Sequence, residues 1–368
     1  MRREAPVLAR ALALACLGAA WGVQSLCAQE AGSGFDLRTT LTAQGVVSNE
    51  STEEPRSGSP ATAGFRGVAY PMWKIDSHWT MTGAFQLYTR PYFYTALSTP
   101  GYGANGEILQ TSLNYSRASG KGSLLFRVGE LSTAFGSFLL RYDDADNALV
   151  DLPPEYGYYY SPISFLPVAG AQIDVTRGKW DARAQFANSS PANPRSLFDH
   201  DQYGNWAGGA GYTIRQGLRV GVSAFHGPYL DRHYKYFFPG EANPSTLRAR
   251  AGGLDAAWAH GHTTLQGEAQ IFVMPYTKIP VFRELAWYAE AKQVLNPRWY
   301  VAVRPGLTSS HFGGKTFSLE SAAGFRPNRF QLIKASYEVE HYTTGDNHFD
   351  NTLGVQLVTT LHFSKGWE

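Results

Sequence analysis

The sequence predicts an all-β protein, a transmembrane antiparallel β-barrel of about 16 strands with a long third loop folded inward. Three observations predict it. Segments of about ten residues alternate apolar and polar side chains. Tight turns and long polar loops alternate along the chain. Beyond the first 28 residues no run of 18 apolar side chains exists, so no transmembrane helix is expected. Lipid offers no hydrogen-bond partners, so a sheet survives there only by closing on itself, with one face to lipid and the other to water.

Composition agrees. Aromatic residues make up 14% of the chain, charged residues only 17%, and there are 38 glycines. This balance suits glycine-tolerant strands with interfacial aromatics better than a helical enzyme, and a secreted all-β domain is the plainest rival. A soluble sandwich, however, needs a second apolar face packed on the first, and gives no reason for every tight turn to fall on one side.

Residues 1–28 read as a signal peptide. Arg2, Arg3 and Arg10 form the basic start, residues 11–20 a short apolar stretch, and Ser25-Leu26-Cys27-Ala28 a cleavage region before Gln29. Leu26 before Cys27 argues against a lipoprotein. Cys16 and Cys27 are the two cysteines and both lie in this leader, so residues 29–368, the expected barrel, contain no disulfide and no thiolate metal site. Without the leader, basic and acidic residues are equal in number, which gives no pull towards nucleic acid.

The first strand is expected over 35–47, where Phe35, Leu37, Leu41 and Val47 alternate with Asp36, Arg38 and Gln44. A loop over 48–61 leads to strands 62–74 and 78–90 around the turn Ile75-Asp76-Ser77. The rhythm repeats with strands 107–118 and 124–131 around Ser119-Gly120-Lys121-Gly122. After a long non-alternating span come 170–175 and 180–188, then 205–215 with 218–225, and 247–259 with 263–274 around His260-Gly261-His262. Two further pairs turn at Asn296-Pro297-Arg298 and at Pro327-Asn328, and residues 350–363 close the chain.

Alternation sets the register. In 180–188 the outward set is Trp180, Ala182, Ala184 and Phe186, and the inward set Asp181, Arg183, Gln185 and Ala187. In 263–273 Gln266, Glu268 and Gln270 point inward; in 298–306 Trp299, Val301 and Val303 meet lipid while Arg298 and Arg304 face water. Turning such a charge to lipid costs about 2–4 kcal/mol near the midplane, and a slip of one residue would turn them all. Trp73, Trp79, Trp180, Trp206, Trp287 and Trp299 are expected at strand ends as an aromatic girdle. Leu353, Val355, Leu357, Thr359, Leu361 and Phe363 give the last strand one apolar face.

No catalytic motif stands up, and the chain is not expected to be an enzyme or to hold a cofactor. Gly101-Tyr102-Gly103-Ala104-Asn105-Gly106 fits a dinucleotide fingerprint in letters only, because a strand and not a helix follows it. A Gly-x-Ser-x-Gly elbow and a His-Glu-x-x-His pair are both missing. His260 and His262 sit in a tight turn, where solvation is the plain reading. The loop Tyr229 to Phe238, with Arg232, His233 and Lys235, is most simply an exterior cover.

The informative stretch is the long loop, 132–167. It carries Arg141, Asp143, Asp144, Asp146, Asp151 and Glu155, then Tyr156, Tyr158, Tyr159 and Tyr160. Three readings compete for its carboxylates: a solvated acidic loop, a constriction that attracts cations in a narrow channel, or a calcium site lacking EF-hand spacing. The tyrosine run reads as an anchor to the wall or as a stacking track. The expected constriction is Arg141, Asp143, Asp144, Asp146, Asp151, Glu155 and Tyr158. The expected pore lining is Arg127, Asp181, Arg183, Arg219, Glu268, Arg304, Lys334 and Glu338, with Glu340 also on the wall.

Arg127-Val128-Gly129-Glu130, Ala134-Phe135-Gly136, the long excursion, Gly170-Ala171-Gln172 and Trp180 through Phe186-Ala187-Asn188 together resemble the phosphate-selective porin O and P family. The resemblance covers about 60 residues at motif level. It implies a 16-stranded homotrimeric outer-membrane channel whose third long loop, here 132–167, folds inward. Members that prefer phosphate line the pore with a ladder of Arg and a ring of Lys, a pattern lacking here, where Arg141 stands among five acidic residues. The expectation is passive diffusion of small hydrophilic solutes or ions through a barrel in outer-membrane lipid. The alternative is a closed barrel acting as adhesin, receptor or structural element.

Overall fold

The structure is a computed structural model that describes residues 34–49, 61–89, 103–137, 143–156, 167–188, 204–230, 244–278, 280–311, 314–343 and 347–365. The expected leader lies outside the described residues.

Sixteen antiparallel strands form one closed barrel. In chain order they are β1 (Gly34–Ser48), β2 (Ala61–Lys74), β3 (Trp79–Thr89), β4 (Ala104–Ser119), β5 (Gly122–Leu131), β6 (Val168–Arg177), β7 (Trp180–Ala187) and β8 (Asn205–Arg215). The second half is β9 (Leu218–Pro228), β10 (Arg248–His260), β11 (Thr263–Met274), β12 (Phe282–Asn296), β13 (Trp299–Ser310), β14 (Gly314–Asn328), β15 (Gln331–Tyr342) and β16 (Phe349–Lys365). Each strand pairs with its neighbours in sequence, and β1 pairs with β16 from Phe35 opposite Lys365 to Ser48 opposite Thr352. Closure leaves no edge with unpaired backbone groups, the condition lipid imposes.

The predicted faces hold. Trp180, Phe186, Ile271, Val301 and Leu353 are exposed on the outer wall, while Asp181, Gln185, Glu268, Gln270 and Arg304 are buried inside it. On β16, Leu353, Val355, Leu357, Leu361 and Phe363 are all exposed large hydrophobics. Trp287 departs from the girdle: it pairs with Ala269 and Leu307 well inside the wall, because β12 starts five residues before it.

Local chemistry explains the tight turns. Asp76 accepts the amides of His78 and Trp79 at 2.7 and 2.8 Å, Asn296 those of Arg298 and Trp299 at 2.9 and 3.1 Å, and Asn328 those of Phe330 and Gln331 at 2.9 and 3.1 Å. Short polar side chains thus stand in for backbone acceptors. Gly178 and Gly261 sit at φ 61° and 59°, a left-handed conformation that favours glycine in two-residue hairpins. The opposite rim carries the longer connections with one exception: Ser310 and Gly314 are joined as tightly as the turns below. The loop after β13 is therefore not one of the long ones.

Inside the barrel the polar pattern breaks in two regions. Ala207, Phe225, Ala249, Ala251, Phe272 and Met274, on β8 to β11, form an inward apolar patch. Its partner is the inward-folded third loop.

Candidate functional site: the inward loop and the lumen wall

Leaving β5, the loop seats Phe135 on that patch. Phe135 is fully buried and meets Phe272 edge-on at 5.8 Å between ring centroids. Burying such a side chain contributes about 1.5–3 kcal/mol. Around it the backbone is bonded to three strands: Ala134 N donates to Gln185 Oε1 of β7 at 2.9 Å, Gly136 N to Ser223 Oγ of β9 at 3.2 Å, and Ser137 N to Glu268 Oε1 of β11 at 2.9 Å. Arg183 donates to the carbonyl of Gly136. Gly136 lies at φ 77°, and a Cβ there would sit 2.2 Å from Tyr156 Oη, so both backbone and space demand glycine.

Tyr156 returns the loop to this point. Its hydroxyl donates to Glu268 Oε2 at 2.7 Å and accepts from Ser137 N at 3.1 Å and Gln270 Nε2 at 2.9 Å. Its ring packs on Tyr288 of β12. The excursion is thereby closed on itself at the β11 wall.

Between these ends, residues 143–151 lie against the opposite arc. Asp143 Oδ2 accepts from Thr40 Oγ1 at 2.9 Å and Arg38 Nη2 at 3.2 Å; Asp144 Oδ2 accepts from Thr42 Oγ1 at 2.8 Å and Arg66 Nη1 at 3.3 Å. Lys334 of β15 places its ammonium on the carbonyls of Asp144, Asn147 and Leu149 at 2.9, 3.2 and 2.8 Å. Three donors meet three acceptors, which is the full capacity of the group. Glu320 of β14 accepts the amides of Val150 and Asp151 at 2.9 and 3.1 Å and pairs with Arg304 at 2.6 Å. Leu149, fully buried, fits a second inward apolar patch of Tyr300, Ala302, Ala322, Leu332 and Val358. Pro154 abuts Gly306, where a Cβ would come within 2.6 Å of its ring.

The sequence-predicted residues divide into groups. Arg141 and Tyr158 lie outside the described residues, as does the side chain of Glu155; so do Tyr159, Tyr160, Arg232, His233 and Lys235. Asp143 and Asp144 are buried at the wall, whereas the Asp146 side chain is 39% exposed, 3.7 Å from Arg38. Asp151 is pushed up to about 6 by burial and by neighbouring Glu320. Among the lining residues, Arg183, Glu268, Arg304 and Lys334 bind the loop. Arg127 pairs with Asp174 at 2.7 Å, and Arg219 grips Asp181 through two bonds of 3.0 Å while also reaching Asp255. Glu338 lines a small cavity behind the loop with Asp144, Asp151 and Gln356. No group of three or more His, Cys, Asp or Glu side chains placed to hold a metal occurs among the described residues.

Sequence reasoning missed Arg38, Thr40, Thr42, Arg66 and Glu320 as loop partners. Period two already put Arg38, Thr40 and Thr42 on one face of β1 with Gln44, but nothing local names a partner about a hundred residues away.

A closed antiparallel barrel of 16 strands with its third loop held inside defines a porin-like outer-membrane barrel fold. Solved structures of that kind are similar to it. OmpF of Salmonella typhi, in complex with daunomycin, superposes with a TM-score of 0.59 at 10% identity, covering 89% of this chain and 97% of that one. A loop-deletion mutant of OmpT, an outer membrane protein of Vibrio cholerae, gives 0.58 at 12% identity over 89% and 99% of the two chains. The anion-selective porin of Comamonas acidovorans gives 0.55 at 9% identity over 90% and 100%. At such identities the likeness is one of fold. No family model matches the sequence, and neither does any curated protein.

Proposed function

We propose that the protein is an outer-membrane porin, exported by cleavage of its leader, that lets small hydrophilic solutes or ions diffuse passively through a water-filled lumen narrowed by the loop over 132–167. The observation that carries this reading is the one-sided seating of the loop. Its described residues bond to β7, β9, β11 and β13–β15 and to β1 and β2, while the inward polar side chains of β3 to β6 receive no described bond from it. Solute would pass between that wall, with Arg127 and Asp174, and the described part of the loop.

In this reading Asp143, Asp144 and Asp151 fasten the constriction, and Asp146 and Arg38 supply charge at its water-facing side, with Arg141, Glu155 and Tyr158 completing it. Because Arg38 and Arg66 offset Asp143 and Asp144, these two carboxylates add little net negative charge to the pore, and selectivity is weak. The motif likeness to the phosphate-selective O and P family supports the inward loop and a trimer, and gives no ground for phosphate preference. No catalytic step belongs to the reading. Purified protein in a planar bilayer is expected to give discrete conductance steps; insertion without conductance overturns the porin reading in favour of a closed barrel.

A further inference from the structure

The lumen arginines and the outer-wall arginines live in different chemical settings. Arg38, Arg66, Arg127, Arg219 and Arg304, which point inward, each have a carboxylate partner. Arg248 and Arg250 on β10 and Arg283 on β12 point outward, since Ala249, Ala251 and Glu284 between and beside them are buried in the lumen. All three are exposed, and none has an acidic partner among the described residues.

Their level on the wall is set by pairing. Phe186 lies opposite Trp206, Trp206 opposite His226, His226 opposite Arg250, Arg250 opposite Val273, and Val273 opposite Arg283. This single outward row runs across β7 to β12 near the loop-side ends of the strands. Trp206 and Phe186, in contact at 4.6 Å between centroids, mark the membrane interface at that level. Lys315 on β14, also outward and exposed, extends the basic band. Arginine on the lipid face costs about 2–4 kcal/mol at the midplane and about 0–1 kcal/mol near the interface, so the row belongs at headgroup depth. Strand spacing puts Arg250 and Arg283 about 10 Å apart and Arg248 about 7 Å from Arg250, a reach that matches phosphates on one bulky headgroup or on two adjacent ones.

We propose that Arg248, Arg250 and Arg283 form a binding site on the outer wall for phosphate-bearing lipid headgroups in the leaflet on the loop side, the exterior side of such barrels. A guanidinium binds phosphate oxygens through two parallel hydrogen bonds and supplies a charge that the fold itself leaves unbalanced there. The inference needs only the barrel and its orientation, and stands whether or not the lumen conducts.

The test uses full-length barrel in nonionic detergent, with lipid retention read by native mass spectrometry. The probes are a bisphosphorylated glucosamine-disaccharide lipid, the same lipid without its phosphates, and inorganic phosphate. Wild-type protein is expected to retain the phosphorylated lipid and not its phosphate-free form. The double variant Arg250→Gln with Arg283→Gln is expected to bind it about tenfold or more weakly, while Arg298→Gln, at a tight turn, binds as wild type. Heat-modifiable gel migration verifies that each variant is folded, and single Arg250→Gln and Arg283→Gln variants replace the double one if it is not. Equal retention of the two lipids, or unchanged binding by the folded variants, overturns the site. Retention of inorganic phosphate with the same arginine dependence makes it a free-anion site and overturns the lipid assignment. A change in the number of chains per particle without lipid makes the row a contact between copies, and overturns it equally.

Discussion

Tyr156 and Glu268 stand 112 residues apart in the chain and 2.7 Å apart in the lumen, where the phenol donates to a buried carboxylate. The same hydroxyl accepts from Ser137, so one tyrosine ties both ends of the inward loop to β11. Removing it with Tyr156→Phe leaves Glu268 short of a donor, at about 1–3 kcal/mol. The barrel does not depend on this bond, so heat-modifiable gel migration should stay as in wild type. Limited proteolysis of the loop should accelerate several-fold, and single-channel records should become noisier.

Lys334 is the second fastening, and a larger one. Lys334→Met keeps the length of the side chain and removes all three bonds to the carbonyls of Asp144, Asn147 and Leu149. A buried carbonyl left without its donor costs about 1–3 kcal/mol, and three are left here. The expected outcome is a mobile loop and a higher unitary conductance, measured in a planar bilayer. An unchanged conductance would separate the loop from the narrowing of the pore.

Charge at the Arg38 to Asp143 pair should set the sign of weak selectivity. Arg38 bonds Asp143 at 3.2 Å and lies 3.7 Å from Asp146. Replacing Asp143, Asp144 and Asp146 by Asn frees Arg38 and Arg66, and the reversal potential in a salt gradient should move towards anions. Arg38→Gln should move it towards cations. Combining Arg38→Gln with Asp143→Asn alone should leave it near the wild-type value, because that pair is then neutral on both sides.

Asp151 gives the loop a pH dependence. Its carboxyl is raised from the usual 3.8 to about 6, by burial first and by Glu320 second. A raised carboxyl takes up its proton more readily in the folded loop than in a released one. Ionised Asp151 therefore weakens loop docking above about 6, and docking strengthens as pH falls from 7 through 6 towards 4. Proteolytic release of the loop should be slower at pH 5 than at pH 7, and Asp151→Asn should flatten that difference.

Much of this architecture was legible in the chain because its cause is local. Trp180, Ala182, Ala184 and Phe186 against Asp181, Arg183 and Gln185 state which face meets lipid, and glycine or an Asp or Asn side chain marks most of the tight turns. The inward apolar residues Phe225, Phe272 and Leu332 carried no such signal. Read as pattern, they are ordinary strand hydrophobics, and only Phe135 and Leu149 of the loop explain why they face the lumen.

The sequence by itself determined the barrel, its strand count, its register and the presence of a loop too long to be a turn, since lipid on one side and water on the other impose a period of two along every strand. Tertiary structure alone decided what the acidic residues of that loop do. Asp143 and Asp144 meet Thr40, Thr42, Arg38 and Arg66 only when β1 and β2 close against β16, bringing together groups about a hundred residues apart. Local periodicity encodes a face, whereas an ion pair across the lumen depends on where the closed barrel places both of its ends.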